Sequence, residues 1–254
     1  MKIKLESDIH IEFRPEYKPI LEGIDLYVIA GDCGEEPRGL KWALSLLDEY
    51  QDLQIIYVLG NHTFYGKYSN VDTALLKLKN LVKDQPRLHL LENESVIVGD
   101  TKFIGSILWT DFNNRNESDL RNAWGRLNDY KYIKQYETYS KFTPYRAYML
   151  HKKAVDYIFT ELEREPDVKS ILVTHHQPFV GHFHYDDIWS AFEANLEKEF
   201  NSCKNLPLYC FSGHTHNSKT VINRYNRKNL IFISNQIGYP KEDTGFNKDF
   251  ILEI

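Results

Sequence analysis

Five short polar motifs, each placed directly after an apolar run, constrain the fold of this chain more than any other feature. They are Ser7-Asp8-Ile9-His10, Gly31-Asp32-Cys33-Gly34, Gly60-Asn61-His62-Thr63, Thr174-His175-His176 and Gly213-His214-Thr215-His216. A strand that ends in such residues delivers them to the rim of a sheet, where a site can form. Asp, Asn and His are also the side chains that bind divalent metals through oxygen and nitrogen. We therefore expect a metal site where several strands end.

The apolar periodicity of the first part of the chain predicts an α/β fold. Residues 2–5, 26–30 and 55–59 have the pattern of buried strands, and residues 37–50 and 71–82 have helical spacing. This β-α-β-α order predicts a sheet that is at least partly parallel and covered by helices.

The later part of the chain is richer in strands, which predicts a second sheet packed on the first. A long helix is expected over 144–163, opened by Thr143-Pro144 with Thr143 as its N-cap. Further strands are predicted at 88–91, 95–98, 102–108, 170–173, 208–211, 220–223, 230–234 and 250–253. No repeat or linker interrupts the chain, so we expect a single domain over residues 1–254.

Composition narrows the functional classes. The formal net charge is −5, which argues against a protein that binds duplex DNA over its whole surface. Residues 1–5 are too short for a signal peptide, and no apolar run is long enough to span a bilayer. Cys33, Cys203 and Cys210 fit no zinc or disulfide framework. The expected location is the reducing cytoplasm.

Spacing explains how the first motifs can share a metal. Alternate residues of a strand point to the same side, so Asp8 and His10 can converge on one ion. Asp32 lies between Gly31 and Gly34, which allow a sharp turn and a close approach to a ligand. A carboxylate has enough lone pairs to bridge two cations, which an imidazole nitrogen cannot do.

The remaining motifs supply further donors. Asn61 offers a neutral carbonyl oxygen, which limits the negative charge around ions that must also attract a phosphate. His214 and His216 repeat the two-residue spacing, so each can serve a different ion. Of the adjacent pair His175 and His176, we favour His175 as a ligand, with His176 orienting the site from behind it.

The order Asp-x-His, Gly-Asp-x-Gly, Gly-Asn-His, His and Gly-His-x-His resembles the calcineurin-like metallophosphoesterase superfamily, over residues 7–216. The resemblance implies an α/β fold, a four-layer α-β-β-α sandwich of two mixed β-sheets flanked by helices, with the metals at the strand ends. It implies a first ion held by Asp8, His10, Asp32 and His216, and a second held by Asp32, Asn61, His175 and His214. It also implies that a hydroxide bridging the ions attacks phosphorus, and that His62 protonates the departing oxygen.

The chemistry of the donors leaves the metal open among manganese, iron, zinc and cobalt, because thiolate ligands are absent from the set. One position departs from the family pattern. Relatives commonly carry Asp or Glu after Gly-Asn-His, whereas this chain has Thr63. Since threonine brings no charge to hold the imidazole, we hypothesise that His62 is a weaker acid here.

A basic and aromatic segment at about 113–153 is predicted to be a helical insertion. It carries nine basic and four acidic residues, a balance of +5 in an otherwise negative chain, with interleaved tyrosines. Such a segment suits a nucleotide or single-stranded nucleic acid, and we expect it to cap the metals, with Arg126 and Lys134 contacting the substrate. The alternative is ordinary tyrosine packing in a solvated insertion.

Several other side chains are weaker candidates. Asp111 is a candidate partner for a ligand histidine, and His151 for a pocket wall. His184 is a candidate for contact with the substrate phosphate. Asn235 and Tyr239, near the end of a late strand, are further candidates for substrate contact.

Two ions imply chemistry on a phosphate ester. A phosphodiesterase acting on nucleotides or nucleic acid is slightly favoured by the basic insertion. The alternative is a phosphomonoesterase of small molecules or phosphoproteins. A rival of another class is a non-catalytic scaffold that binds a protein; it would have eroded ligands, whereas this chain keeps every ligand type and His62. We predict no protein partner and no membrane association.

Overall fold

The computed structural model of the protein describes residues 1–66, 69–135, 140–181 and 187–254. Within them, two mixed β-sheets pack face to face with helices outside, which confirms the predicted α/β sandwich. The first sheet contains Lys2–Glu6 (β1), Leu26–Ala30 (β2), Gln54–Val58 (β3), Leu88–Leu91 (β4) and Leu252–Glu253 (β13), in the order β13-β1-β2-β3-β4. Three of its four strand pairings are parallel, and the edge strand β13 is antiparallel to β1.

The second sheet has six strands, with a parallel centre and antiparallel edges. They are Glu94–Val98 (β5), Thr101–Ser106 (β6), Lys169–Thr174 (β9), Tyr209–Phe211 (β10), Lys219–Tyr225 (β11) and Lys228–Ser234 (β12), in the order β11-β12-β10-β9-β6-β5. A separate two-stranded ribbon pairs Lys134–Gln135 (β7) with Ser140–Lys141 (β8).

Seven α-helices accompany these strands in the described part of the chain. They are Arg38–Glu49 (α1), Val71–Val82 (α2), Phe112–Arg115 (α3), Glu117–Arg126 (α4), Asp129–Tyr132 (α5), Pro144–Arg164 (α6) and Glu197–Ser202 (α7). Helix α6 begins as predicted, because the Thr143 side chain accepts a hydrogen bond from the Arg146 amide at 3.1 Å. None of these helices combines the length and apolar character needed to cross a bilayer.

The two-residue period of the strands assigns their side chains to separate cores. In β2, Leu26, Val28 and Ala30 face the second sheet, whereas Tyr27 and Ile29 face the helix layer. Helices α1 and α2 cover the outer side of the first sheet, and α6 and α7 cover the outer side of the second. Each fully buried Leu or Ile contributes roughly 1.5–3 kcal/mol to such a core.

One strand ends earlier than the sequence predicts. The apolar run 102–108 suggested a strand as far as Leu108, but β6 stops at Ser106 because Leu108 and Trp109 adopt positive φ angles of 70° and 52°. The backbone becomes left-handed again in α3, where all four residues have positive φ. This turn redirects the chain into the basic segment.

A buried carboxyl group on the first sheet's outer side gives a prediction about stability. Glu36 is buried; its Oε2 accepts from the Leu40 amide at 3.0 Å, and it also bonds the Tyr57 hydroxyl. Burial raises the pKa of Glu36 to about 7, despite these hydrogen bonds. The folded protein therefore binds a proton that the unfolded chain releases between about pH 4.5 and 7, so this group's contribution to stability falls as pH rises through that window.

We expect Glu36→Gln to flatten this dependence. Glutamine stays neutral, so the loss of stability between pH 5 and 7.5 is expected to shrink by up to about 3 kcal/mol, the free energy of a shift of two to three pKa units. Urea unfolding at the two pH values measures it, with the exposed Glu16→Gln as the control. Equal pH dependence of Glu36→Gln and the unaltered protein would contradict the assignment.

Candidate metal centre

The motifs meet where six parallel strands end, three in each sheet. The ends of the neighbouring strands β1, β2 and β3 carry Asp8 and His10, Asp32, and Asn61 and His62. In the second sheet, β9 leads to His175 and His176, β10 to His214 and His216, and β12 to Asn235 and Tyr239. Strand ends thus bring distant motifs together at one edge of the sandwich.

Two glycines permit the close packing of these ends. A Cβ on Gly31, whose φ is +89°, would lie 2.1 Å from Nδ1 of His175. A Cβ on Gly60 would lie 2.1 Å from Oδ1 of Asp32. Any larger residue at either position would displace a donor, which explains the glycines beside the polar residues.

The backbone itself is strained at the motifs. Asp8, His10, Asp32, His214 and His216 have positive φ angles of 52°, 49°, 46°, 71° and 49°. Non-glycine residues in this region cost about 1–3 kcal/mol each and cluster at functional sites. Asp tolerates the conformation better than most side chains, as does His.

The first cluster joins Asp8, His10 and His216, whose donor atoms all lie within 4.8 Å of one another. Nε2 of His10 is 3.3 Å from Nε2 of His216, which in turn is 3.5 Å from Oδ1 of Asp8. Each imidazole has a carboxylate at its other nitrogen: Glu12 lies 3.3 Å from His10 Nδ1, and Glu242 lies 2.6 Å from His216 Nδ1. These carboxylates favour protonation at Nδ1 and leave both Nε2 lone pairs directed at each other.

The second cluster joins Asp32, His175 and His214, again within 4.8 Å. Nε2 of His175 lies 3.4 Å from Oδ2 of Asp32 and 2.9 Å from Oδ1 of Asn61. Nδ1 of His175 donates to the Ala30 carbonyl oxygen at 3.2 Å, which leaves Nε2 as the coordinating atom. Asp32 also groups with His10 on its other side, so its carboxylate lies between the two clusters.

These donors fit divalent cations for three reasons. Facing Nε2 lone pairs repel one another, and a cation between them removes the repulsion. Among the described side chains, Nε2 of His214 is buried without a hydrogen-bond partner, as expected for a metal donor. Burial raises the pKa of Asp32, yet the nearby His175 and His62 hold that pKa well below its usual value, so the carboxylate is charged.

His62 lies beside these clusters, and its charged neighbours are not at position 63. Thr63 is buried, and its hydroxyl oxygen accepts a hydrogen bond from the Gly60 amide at 3.3 Å. The charge comes instead from Glu12, whose Oε1 lies 3.4 Å from Nδ1 of His62. Burial lowers the pKa of His62, but the charges of Asp32 and Glu12 raise it above its ordinary value. His62 therefore has a carboxylate partner despite the threonine.

His175 and His176 occupy different places. His175 belongs to the second cluster, whereas Nδ1 of His176 donates to the Ile107 carbonyl oxygen at 3.2 Å. The ring of His176 packs 4.1 Å from the ring of His214. Burial and the neighbouring His175 lower the pKa of His176 well below its usual value, so this ring is neutral and supports the two ligand candidates from behind.

Comparison with known proteins places this geometry in a family. The profile of the calcineurin-like phosphoesterases matches residues 1–218. The chain belongs to the calcineurin-like phosphoesterase family. Family membership and the clustered donors support metal-dependent hydrolysis of a phosphate ester by two divalent ions.

Similar proteins agree with this assignment. The uncharacterized protein L509 of Acanthamoeba polyphaga mimivirus is 29% identical over 282 residues, covering 99% of this chain and 96% of that protein. Among solved structures, phosphopantetheinyl hydrolase from Mycobacterium tuberculosis matches with a TM-score of 0.71 at 17% identity, over 94% of this chain and 90% of that one. A dimetal phosphatase from Danio rerio matches with a TM-score of 0.51 at 14% identity, over 96% and 89%. The two structural matches show the shared calcineurin-like fold.

The basic segment contributes to the calcineurin-like site through an acid that the sequence did not single out. Oδ1 of the buried Asp129 accepts a hydrogen bond from Nδ2 of Asn61 at 2.7 Å and another from the Tyr65 hydroxyl. Because Nδ2 is held by Asp129, Oδ1 of Asn61 is turned toward His175. Asp129 therefore fixes the orientation of the amide.

We expect Asp129→Ala to weaken metal binding by about 10- to 100-fold, the usual cost of removing a group that orients a ligand. Asp129→Asn, which keeps an acceptor oxygen, is expected to lose less. Metal content at limiting free metal measures the effect, with Glu117→Ala on the exposed face of α4 as the control. Unchanged affinity in Asp129→Ala would remove this role.

Other candidates lie elsewhere. Asp111 bonds no ligand histidine in the described structure: its carboxylate accepts from the Asn114 amide at 2.8 Å and from the Asn195 amide at 3.4 Å. Arg126 is exposed and paired with Asp187.

The remaining candidates divide as follows. His151 is buried, donates to the Leu108 carbonyl oxygen and lines a surface cavity of about 770 Å³ outside the metal clusters. Asn235 bonds the carbonyl oxygens of Leu5 and Asn247, which is a structural role. Tyr239 does lie in the site, with its hydroxyl 2.9 Å from Nε2 of His62. His184 lies outside the described residues.

Glu12 was also missed, although the sequence carried a signal for it. It continues the alternation Asp8-x-His10-x-Glu12. Burial raises the pKa of Glu12, but hydrogen bonds from His10 and His62 lower it to about 2, so its carboxylate is charged.

Proposed function

We propose that this protein hydrolyses phosphate esters with two divalent ions held between its sheets and with His62 as the general acid. Asp8, His10, Asp32 and His216 would hold the first ion, and Asp32, Asn61, His175 and His214 the second. The observation that carries the proposal is the central position of Asp32, whose carboxylate belongs to a donor group on either side. When bound, the ions supply positive charge to the phosphoryl oxygens and favour ionisation of water near neutral pH.

The chain's own residues have distinct tasks. The two buried aspartates supply the negative charge that the cations need, and Asn61 adds an oxygen without adding charge. Glu12 and Tyr239 bond opposite nitrogens of His62 and so fix its ring. With Nδ1 donating to Glu12, Nε2 of His62 is the atom that passes a proton to the leaving oxygen.

The structure supports small phosphate esters more than single-stranded nucleic acid. Three arginines of the basic segment are paired with acids: Arg121 with Glu117, Arg126 with Asp187 and Arg146 with Asp72. The segment therefore presents less positive charge than its composition predicts. Its contribution near the metals comes from α5 and the residue before it, which carry Asn128, Asp129 and Tyr132.

A screen of metal-reconstituted protein tests the proposal. Manganese, iron, cobalt and zinc forms are assayed on monoesters, diesters, cyclic nucleotides and oligonucleotides, with Asp32→Asn as the blank. We expect metal-dependent hydrolysis of small esters by the unaltered protein. If the metal-loaded protein is no faster than the blank on every ester, the enzyme proposal is wrong and a non-catalytic scaffold is favoured.

A further inference from the structure

A second cavity adjoins the metal clusters on the side of His62. It measures about 630 Å³, within the usual range for a small-molecule site. Its described lining consists of Phe13, Glu35, His62, Tyr65, Asn128, Tyr132, Tyr239 and Pro240. His62 is the one residue that this lining shares with the donor groups, so the cavity begins where the proposed proton donor stands.

Aromatic rings form most of the wall. Phe13 lies 5.8 Å from Tyr239, and Tyr132 lies 5.5 Å from Tyr65, both edge to face. Tyr65 in turn lies 4.3 Å from the ring of His62. Phe13 and Tyr132 are 54% and 52% exposed, so two large rings at the rim remain open to a ligand. Rings at these separations leave edges and faces on which a further planar ring can pack.

Away from His62, the charge of the wall disfavours a phosphate subsite. The described lining has no Lys or Arg, and its one carboxylate is that of Glu35. An anionic group would be repelled there, whereas an uncharged ring would not. Glu35 accepts hydrogen bonds and the amide of Asn128 both donates and accepts, so ring substituents such as amino groups have partners.

We infer that this cavity binds a planar, uncharged ring carried by the leaving alcohol of the substrate, either an aryl group or an amino-bearing heteroaromatic ring such as a nucleobase. The inference rests on the proposed function, because it places the ring on the side of the scissile bond that His62 protonates. With phosphorus at the metals, the P–O bond to the ring-bearing alcohol breaks, water supplies the new P–O bond, and His62 gives its proton to the departing oxygen. The reaction releases inorganic phosphate or a phosphate monoester together with the alcohol.

A matched pair of substrates tests this inference. Benzyl phosphate and cyclohexylmethyl phosphate have ring-bearing primary alcohols of similar size and leaving ability, but only the first ring is planar. We expect kcat/KM to be at least several-fold higher for benzyl phosphate. Tyr132→Ala and Phe13→Ala remove exposed rings, and each is expected to raise KM for benzyl phosphate by roughly 5- to 100-fold, the usual effect of losing one stacking partner. KM for cyclohexylmethyl phosphate is expected to change less.

Tyr145→Ala is the control, because Tyr145 is an equally exposed tyrosine on α6 outside the cavity lining. It is expected to keep the preference for benzyl phosphate. Equal kcat/KM for the two esters, or rim variants that behave like Tyr145→Ala, would overturn the inference while leaving the hydrolase proposal intact.

A binding measurement that needs no hydrolysis separates the ring-site inference from the hydrolase proposal. Adenosine, which carries a heteroaromatic ring and no phosphate, is titrated into the unaltered protein and into Tyr132→Ala by calorimetry. Binding that weakens in Tyr132→Ala supports the ring site even if no ester is hydrolysed. Failure of the unaltered protein to bind adenosine, or an equal affinity in Tyr132→Ala, would refute it, as equal rates on the two esters would.

Discussion

Asp32→Asn is expected to lower kcat/KM by about 10³-fold or more, because the lost charge removes several kcal/mol of stabilisation from both ions. Asp32 is the carboxylate that both donor groups flanking it share. Asparagine keeps an Oδ1 that can accept from the His62 amide, as Asp32 does at 2.9 Å, and it tolerates the φ of 46°. The variant should therefore fold while binding metal poorly.

Two measurements test this expectation together. The metal content of the purified variant is expected to fall from two ions per chain to one or fewer. Its activity is expected to fall as well. Asp48→Asn, which removes an exposed carboxylate on α1, is the control and keeps both. An Asp32→Asn protein that still holds two ions and full activity would exclude Asp32 as the shared ligand.

His62→Ala is expected to reduce kcat by about 10²- to 10⁴-fold on esters with poor leaving groups, the usual contribution of a general acid. Benzyl phosphate represents this class. On 4-nitrophenyl phosphate, whose leaving group departs without protonation, the loss is expected to be small. Both esters carry planar rings, so a difference between them reports the effect of protonating the leaving group. Equal losses on the two esters would rule out the acid role.

Glu12→Gln refines the same experiment. Glutamine still accepts a hydrogen bond from His62 but lacks the charge, so we expect a smaller loss than in His62→Ala, again confined to the poor leaving group. Because Glu12 also bonds His10, metal content must be measured in parallel. A variant that keeps its metal and its rate on benzyl phosphate would show that Glu12 does not assist His62.

Much of the fold and the donor set could be predicted from local patterns. Strand β2 and helix α2 match the predicted bounds, because alternation and helical spacing are carried by adjacent residues. Polar residues directly after buried strands could be placed at one sheet edge for the same reason. The comparisons bear out the family, and the assignment of each donor to an ion remains a prediction.

The residues that sequence reasoning missed act across long separations. Asp129 meets Asn61 from 68 positions away, and Glu12 meets His62 from 50 positions away. No periodicity links such pairs. The left-handed backbone at Leu108 and Trp109, and again from Phe112 to Arg115, was equally invisible. Arg126, whose charge suggested substrate contact, is paired with Asp187.

The division of donors between the two sheets has a mechanical consequence. One half of the set comes from β1, β2 and β3, and the other from β9 and β10, so the sheets cannot separate without dispersing the donors. An ion held there acts as a cross-link between the halves of the sandwich. Each tenfold rise in free ion above its dissociation constant then adds about 1.4 kcal/mol to the free energy of unfolding. A chelator would therefore lower the free energy of unfolding as well as the proposed hydrolytic activity.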